Sequence, residues 1–127
     1  MTSVLVCGSA AIDFLGAYSG SFEDYEKRYP TAGLNISLQL ARLSTSFGGC
    51  GMNITYGLNK IGVPVTPLTS VGLDFRDHYL KHLEDEGIDS RFVCVDEAFE
   101  HSAHCIIFSD DNGNQIIIRA KDLFGNV

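Results

Sequence analysis

Nine lysines and arginines against sixteen aspartates and glutamates leave this 127-residue chain short of positive charge. Nucleic-acid affinity rests on clustered Lys and Arg meeting phosphates, so polynucleotide binding is excluded as its main business. The shortage is also local: residues 74–111 hold eleven of the acids and only three of the bases, which reads as a solvated acidic face. The chain also has no run of about 18 apolar residues that could cross a bilayer. Residues 1–8 show no basic segment leading into an apolar one, and together these absences predict a cytoplasmic protein with no membrane partner.

Paired cysteines are missing too. Cys7, Cys50, Cys94 and Cys105 contain no C-x-x-C pair, and His78, His82, His101 and His104 make no zinc spacing with them, so free thiols and no metal are expected. His78 and His82, four apart, can share a helix face, but the spacing supplies no third ligand. There is no internal repeat, linker or low-complexity tract. With 45% hydrophobic and 20% charged residues, the chain has the composition of one ordinary globular domain.

What is present reads as an α/β alternation. Val4-Leu-Val-Cys7, ended by Gly8, is a short apolar run suited to a strand buried on both faces. Asp13 then falls just beyond that strand's carboxyl end, where open α/β sheets bind ligands; a turn or capping role competes with that reading. Residues 21–29 predict a short helix stopped by Pro30, and the alternation in residues 34–40 predicts a half-exposed strand. Ile54, Leu58 and Ile61 recur at helical spacing before Gly62 and Pro64. Residues 65–71 read as a strand that Pro67 would push to an edge. Asp74 would cap a helix with Phe75, Tyr79 and Leu83 on one face and Gly87 at its end. A short strand is expected at 91–95, and residues 102–109 and 115–119 flank Asp110-Asp-Asn-Gly-Asn114 as a hairpin.

The informative stretch is Gly48-Gly-Cys-Gly-Met-Asn53, a glycine-rich entry to a helix. Glycines let the backbone approach a ligand and aim free N–H groups at its oxygens. Asn53 adds an amide that donates and accepts, and an ionised Asp13 offers two acceptor oxygens for neighbouring hydroxyls. That mixture suits a vicinal diol, although a glycine cluster alone is as often a structural turn. A dinucleotide-binding reading is weak, because Gly8-Ser-Ala-Ala-Ile-Asp13 does not fit G-x-G-x-x-G.

In register, Gly48, Gly49, Gly51, Asn53, Thr55, Gly62 and Gly72 resemble the first signature of the PfkB carbohydrate kinase family. Gly8 to Asp13, Val71-Gly-Leu-Asp74 and Glu86-Gly-Ile-Asp89 extend the resemblance over residues 1–118. Leu34-Asn-Ile-Ser-Leu38, Ser46-Phe-Gly-Gly-Cys50 and Asp111-Asn-Gly-Asn-Gln-Ile116 look most like the adenosine-kinase-like branch. The resemblance implies a ribokinase-like α/β fold: part of a Rossmann-like parallel sheet with helices, plus a small β-sheet lid from segments near 14–20, 33–47 and 102–119. It further implies a sugar or nucleoside substrate such as adenosine, its ribose held by Asp13, Gly48, Gly49 and Asn53, with ATP and Mg2+ as cofactors.

Two departures go with the resemblance. Asp77 stands where the family usually has glycine, and residues 118–127 do not continue as that branch does, as a foreign or frame-shifted ending would. The family's second signature, Asp-Thr-x-Gly-Ala-Gly-Asp, with its anion hole and base, does not occur, nor does any Walker-type or kinase-type phosphate loop. The expectation is an N-terminal fragment, inactive alone, with no catalytic residue of its own. A non-catalytic sugar-binding or lid-mediated interaction module is the alternative. Open lid strands would also permit a homodimer.

Overall fold

The computed structural model describes residues 2–29 and 36–120. Its strands fall into two sheets. The first is parallel and three-stranded, in the order β1 (Val4–Cys7), β4 (Val65–Val71), β5 (Val93–Val95). The second has four strands, β3 (Arg42–Gly48), β2 (Ala11–Ala17), β6 (Ala103–Ser109) and β7 (Gln115–Arg119), in that order. There β2 runs parallel to β6 and antiparallel to β3, and β6 and β7 form the hairpin expected around Asp110–Asn114. Helices α1 (Phe22–Arg28), α2 (Cys50–Lys60) and α3 (Tyr79–Asp85) and a 3-10 turn at Leu73–Arg76 complete the described chain. The α/β class with a separate small sheet is the one expected.

Ala10, Met52, Val71, Phe75, Tyr79, Leu83 and Ile88 form one buried cluster between α2, α3 and β4. Each large side chain of this kind contributes about 1.5–3 kcal/mol on burial, so the cluster fixes α3 against the sheet. Phe75, Tyr79 and Leu83 do line one face, and Gly87 ends the segment at φ +69°.

Several expectations need correction. The strand expected at 34–40 lies instead at 42–48: residues 36–40 form no regular element, and residues 34 and 35 lie outside the described residues. The deciding force is pairing with β2, from Ala11↔Gly48 to Ala17↔Arg42, which the weak polar pattern of residues 42–46 does not announce. Asp13 therefore sits within a second strand and not in a loop after the first. β1 is a strand, but Val4, Leu5 and Cys7 are exposed rather than buried on both faces.

Pro67 lies in the central strand of its sheet, not at an edge. The β4 backbone alternates sides: Leu68 accepts from Gly8 on β1, whereas Thr69 and Val71 bond toward Phe92 and Asp96 on the other side. Pro67 shares the side of Thr69, and β5 begins pairing only at Thr69, so the missing N–H falls where no neighbour needs it. In α2 the helix stands but its face is reversed. Gly51, Met52 and Thr55 are buried, while Ile54 and Ile61 are 55% and 75% exposed. Close approach decides this, since a Cβ on Gly8 would stand 2.7 Å from the Gly51 Cα.

Candidate functional site

Side chains alternate across a strand, so Ala11, Asp13 and Leu15 project from one face of the four-stranded sheet and Ile12 and Phe14 from the other. Asp13 is paired with Ser46 on β3 and Cys105 on β6, which holds its backbone from both sides. Its carboxylate is half-buried and packs against Gly48, where an added Cβ would run into the carboxyl group. Among the described residues no group donates a hydrogen bond to it. Desolvation pushes the Asp13 carboxyl above its ordinary range, and the nearby His104 partly offsets that.

Gly48 and Gly49 bring the turn between β3 and α2 up to this carboxylate. Gly49 adopts φ +96°, a region closed to most side chains, and its Cβ would stand 2.5 Å from the Ser9 carbonyl oxygen. The Tyr79 hydroxyl holds the turn from beneath, donating to the Gly48 carbonyl at 2.8 Å. Burial, with the Asp13 charge added, raises the Tyr79 phenol far above its usual range, so it remains a donor.

The helix entry is less free than its glycines suggest. Ser9 takes two of its donors, the Cys50 N–H on its hydroxyl at 3.2 Å and the Met52 N–H on its carbonyl at 3.2 Å. Asn53 lies in the first turn of α2, its own N–H donating to the Gly49 carbonyl at 2.9 Å. Its side chain is exposed and makes no hydrogen bond among the described residues. Asp13 and Gly48 are thus in contact, Gly49 packs on Ser9–Ala11 beside them, and Asn53 stands one helical turn away. Ser9 and Tyr79 were not signalled by spacing; only the fold brings them to the turn.

Asp74 does not cap a helix as expected. Its Oδ1 accepts from the Ser102 N–H at 2.8 Å and the Ser102 hydroxyl at 2.6 Å, and Ser102 Oγ in turn accepts from the Gly72 N–H at 3.0 Å. Gly72 is required here, because a Cβ would stand 2.5 Å from the His101 carbonyl carbon. His78 and His82 do not act together. His82 stacks on Phe47 at 4.6 Å, whereas His78 lines a separate cavity of about 420 Å³ with Phe14, Asp77 and His104. The four cysteines are free thiols.

A half-buried carboxylate lacking an internal donor, beside a glycine turn and an available amide, can accept from two adjacent hydroxyls of a small ligand. Among the described residues no helix is long and apolar enough to cross a membrane.

Comparison with known proteins bears on the family and the fold. The pfkB family carbohydrate kinase model matches residues 1–123. A nucleoside kinase of Methanocaldococcus jannaschii is 33% identical over 86 residues, 65% of this chain and 27% of that protein. Its crystal structure, an archaeal member of the ribokinase family, superposes with a TM-score of 0.78 at 26% identity, covering 94% of this chain and 37% of that one. Burkholderia thailandensis nucleoside kinase in complex with inosine gives 0.74 at 28% identity, over 93% and 36%. Its complex with ADP-inosine gives 0.65 at 29%, over 93% and 37%. The chain spans little more than a third of the solved relatives it matches.

Proposed function

This chain belongs to the pfkB family of carbohydrate kinases, and we propose on that premise that it forms the nucleoside-binding part of an ATP-dependent kinase. The substrate would be a ribose-containing nucleoside, adenosine first. The observation that carries this reading is the Asp13 carboxylate, half-buried against Gly48 with no donor of its own among the described residues. A ribose diol would supply both hydrogen bonds, and Asn53 with the Gly48–Gly49 backbone would hold the remaining polar edge. One relative, the Burkholderia thailandensis nucleoside kinase crystallised with inosine and with ADP-inosine, supports a nucleoside over a free sugar. The four-stranded sheet carrying Asp13, built from residues 11–17, 42–48, 103–109 and 115–119, acts in this reading as the lid over the ligand.

ATP and Mg2+ do not fit the described residues. The α2 entry has spent two of its donors on Ser9, and among the described residues no lysine contacts Asp13 to meet a phosphate. The phosphoryl donor would be seated elsewhere in the protein, and residues 1–127 alone would bind without transferring. A cytoplasmic location goes with that reading. The test is calorimetric titration of the chain with adenosine, inosine and ribose, alongside Asp13→Asn. Saturable nucleoside binding lost in the variant supports the assignment; equal binding by the variant overturns it.

A second reading rests on β7, every residue of which is exposed, with Ile116, Ile117 and Ile118 at 39–51%. That edge would pair lid to lid in a homodimer. Sedimentation of Ile117→Lys beside the parent chain tests it.

A further inference from the structure

We propose that Asp74, His101 and His104 bind one divalent transition-metal ion of the zinc type, on the face of the four-stranded sheet opposite Asp13. Asp74 Oδ2 lies 3.7 Å from His101 Nδ1 and 3.6 Å from His104 Nε2, and the three donor atoms fall within 4.8 Å of one another. Ligands about 2.0–2.2 Å from a tetrahedral ion stand roughly 3.3 Å apart. Asp74 and His104 need to close by only a few tenths of an ångström. His101, 68% exposed, can turn to make the larger adjustment.

The surroundings prepare two of these ligands, and one residue does most of it. His104 Nδ1 sits 2.6 Å from the Ser102 carbonyl, which can only accept, so Nδ1 carries the hydrogen and Nε2 of the neutral ring keeps its lone pair. The same Ser102 donates its N–H and hydroxyl to Asp74 Oδ1, leaving Oδ2 turned toward the histidines. A carbonyl behind the histidine and two donors behind the carboxylate are the supports that metal ligands ordinarily have. Without an ion, a lone pair and a carboxylate oxygen face each other at 3.6 Å.

Two imidazoles and one carboxylate suit zinc, cobalt or nickel and disfavour magnesium or calcium, which take oxygen ligands. The fourth position opens toward solvent and the cavity lined by Asp77 and His78. An ion here would tie the start of β6 to the 3-10 turn after β4, and so join the two sheets. None of the three ligands belongs to the proposed ribose site.

The test is titration of the tag-free chain with Co2+, followed by its visible absorption, and with Zn2+ by calorimetry. One ion per chain is expected, with Zn2+ displacing Co2+ and Mg2+ unable to. His101→Gln, at an exposed position where folding is not at stake, and His104→Gln should each weaken binding by about tenfold or more. His78→Gln, in the same cavity wall, should leave it unchanged. Failure of the folded chain to bind an ion at one per chain overturns the proposal. So does binding that survives both His101→Gln and His104→Gln, or that is lost in His78→Gln alone.

Discussion

Asp13 and Gly48 share one small volume: the carboxylate of the first occupies the space a side chain on the second would need. Gly48 needs no unusual backbone angle, so its glycine is a matter of room alone. Gly48→Ala should therefore displace the Asp13 carboxylate. Overpacking of this kind costs about 1–3 kcal/mol, and nucleoside affinity should fall more steeply than thermal stability. Calorimetry and a melting curve on the same sample separate the two.

Binding should also report the ionisation of Asp13. Burial raises its pKa, and the ionised form offers both oxygens as strong acceptors, whereas protonation turns one of them into a donor. Nucleoside affinity should fall with decreasing pH, with a midpoint above that of an ordinary aspartate. Stability runs the other way: a raised carboxyl pKa favours the folded state below the unfolded pKa, and that advantage is lost as pH rises through the folded one. Asp13→Asn should thus melt higher than the parent at neutral pH while losing binding, as paired melting and titration experiments would show.

Tyr79→Phe removes the hydroxyl that supports the Gly48 carbonyl. Leaving that buried acceptor unpaired costs about 1–3 kcal/mol, seen as a lower urea midpoint with unchanged slope. Nucleoside affinity should drop as well, since the same bond sets the turn.

Thr69 offers the reverse case. It is 1% exposed and its hydroxyl has no hydrogen-bond partner among the described residues. Thr69→Val keeps the shape and removes an unpaired polar group, so it should stabilise the chain by about 1 kcal/mol. A higher urea midpoint checks it.

Asp110 ties the hairpin to the start of α1. Its carboxylate accepts from the N–H groups of Phe22, Asn112 and Asn114 and from the Asn114 amide. Desolvation works to raise its pKa, but these donors outweigh it and hold the carboxyl below the usual range. A depressed pKa contributes stability that is complete above the unfolded value and lost as pH falls through the folded one. The parent chain should lose stability on acidification faster than Asp110→Asn, by melting temperature against pH.

Much of the fold was legible because local pattern and tertiary demand agreed. Residues 65–71, the helix within 21–29 and the hairpin around Asp110–Asn114 stand as read. The pattern failed where neighbours decided. β3 lies eight residues after the expected start of its strand because β2 selects it, and α2 buries its small residues because Gly51 touches Gly8. At the candidate site, residue type and the family resemblance brought forward Asp13, Gly48, Gly49 and Asn53, and the fold sets the first two in contact. Asp74, His101 and His104 were not grouped, because no spacing reveals that the turn after β4 meets the start of β6.

The parallel pairing of β2 with β6 carries a kinetic consequence. The sheet that holds Asp13 cannot be completed until residues 103–109 arrive beside residues 11–17, and closing so long a loop must precede any reward from its contacts. β2 can pair early with β3, which closes a shorter loop than β1 with β4 does, so within this sheet the β2–β6 ladder should be the last protected against hydrogen exchange during refolding. The β6 side of the proposed binding surface would thus mature last, after its β3 side has set.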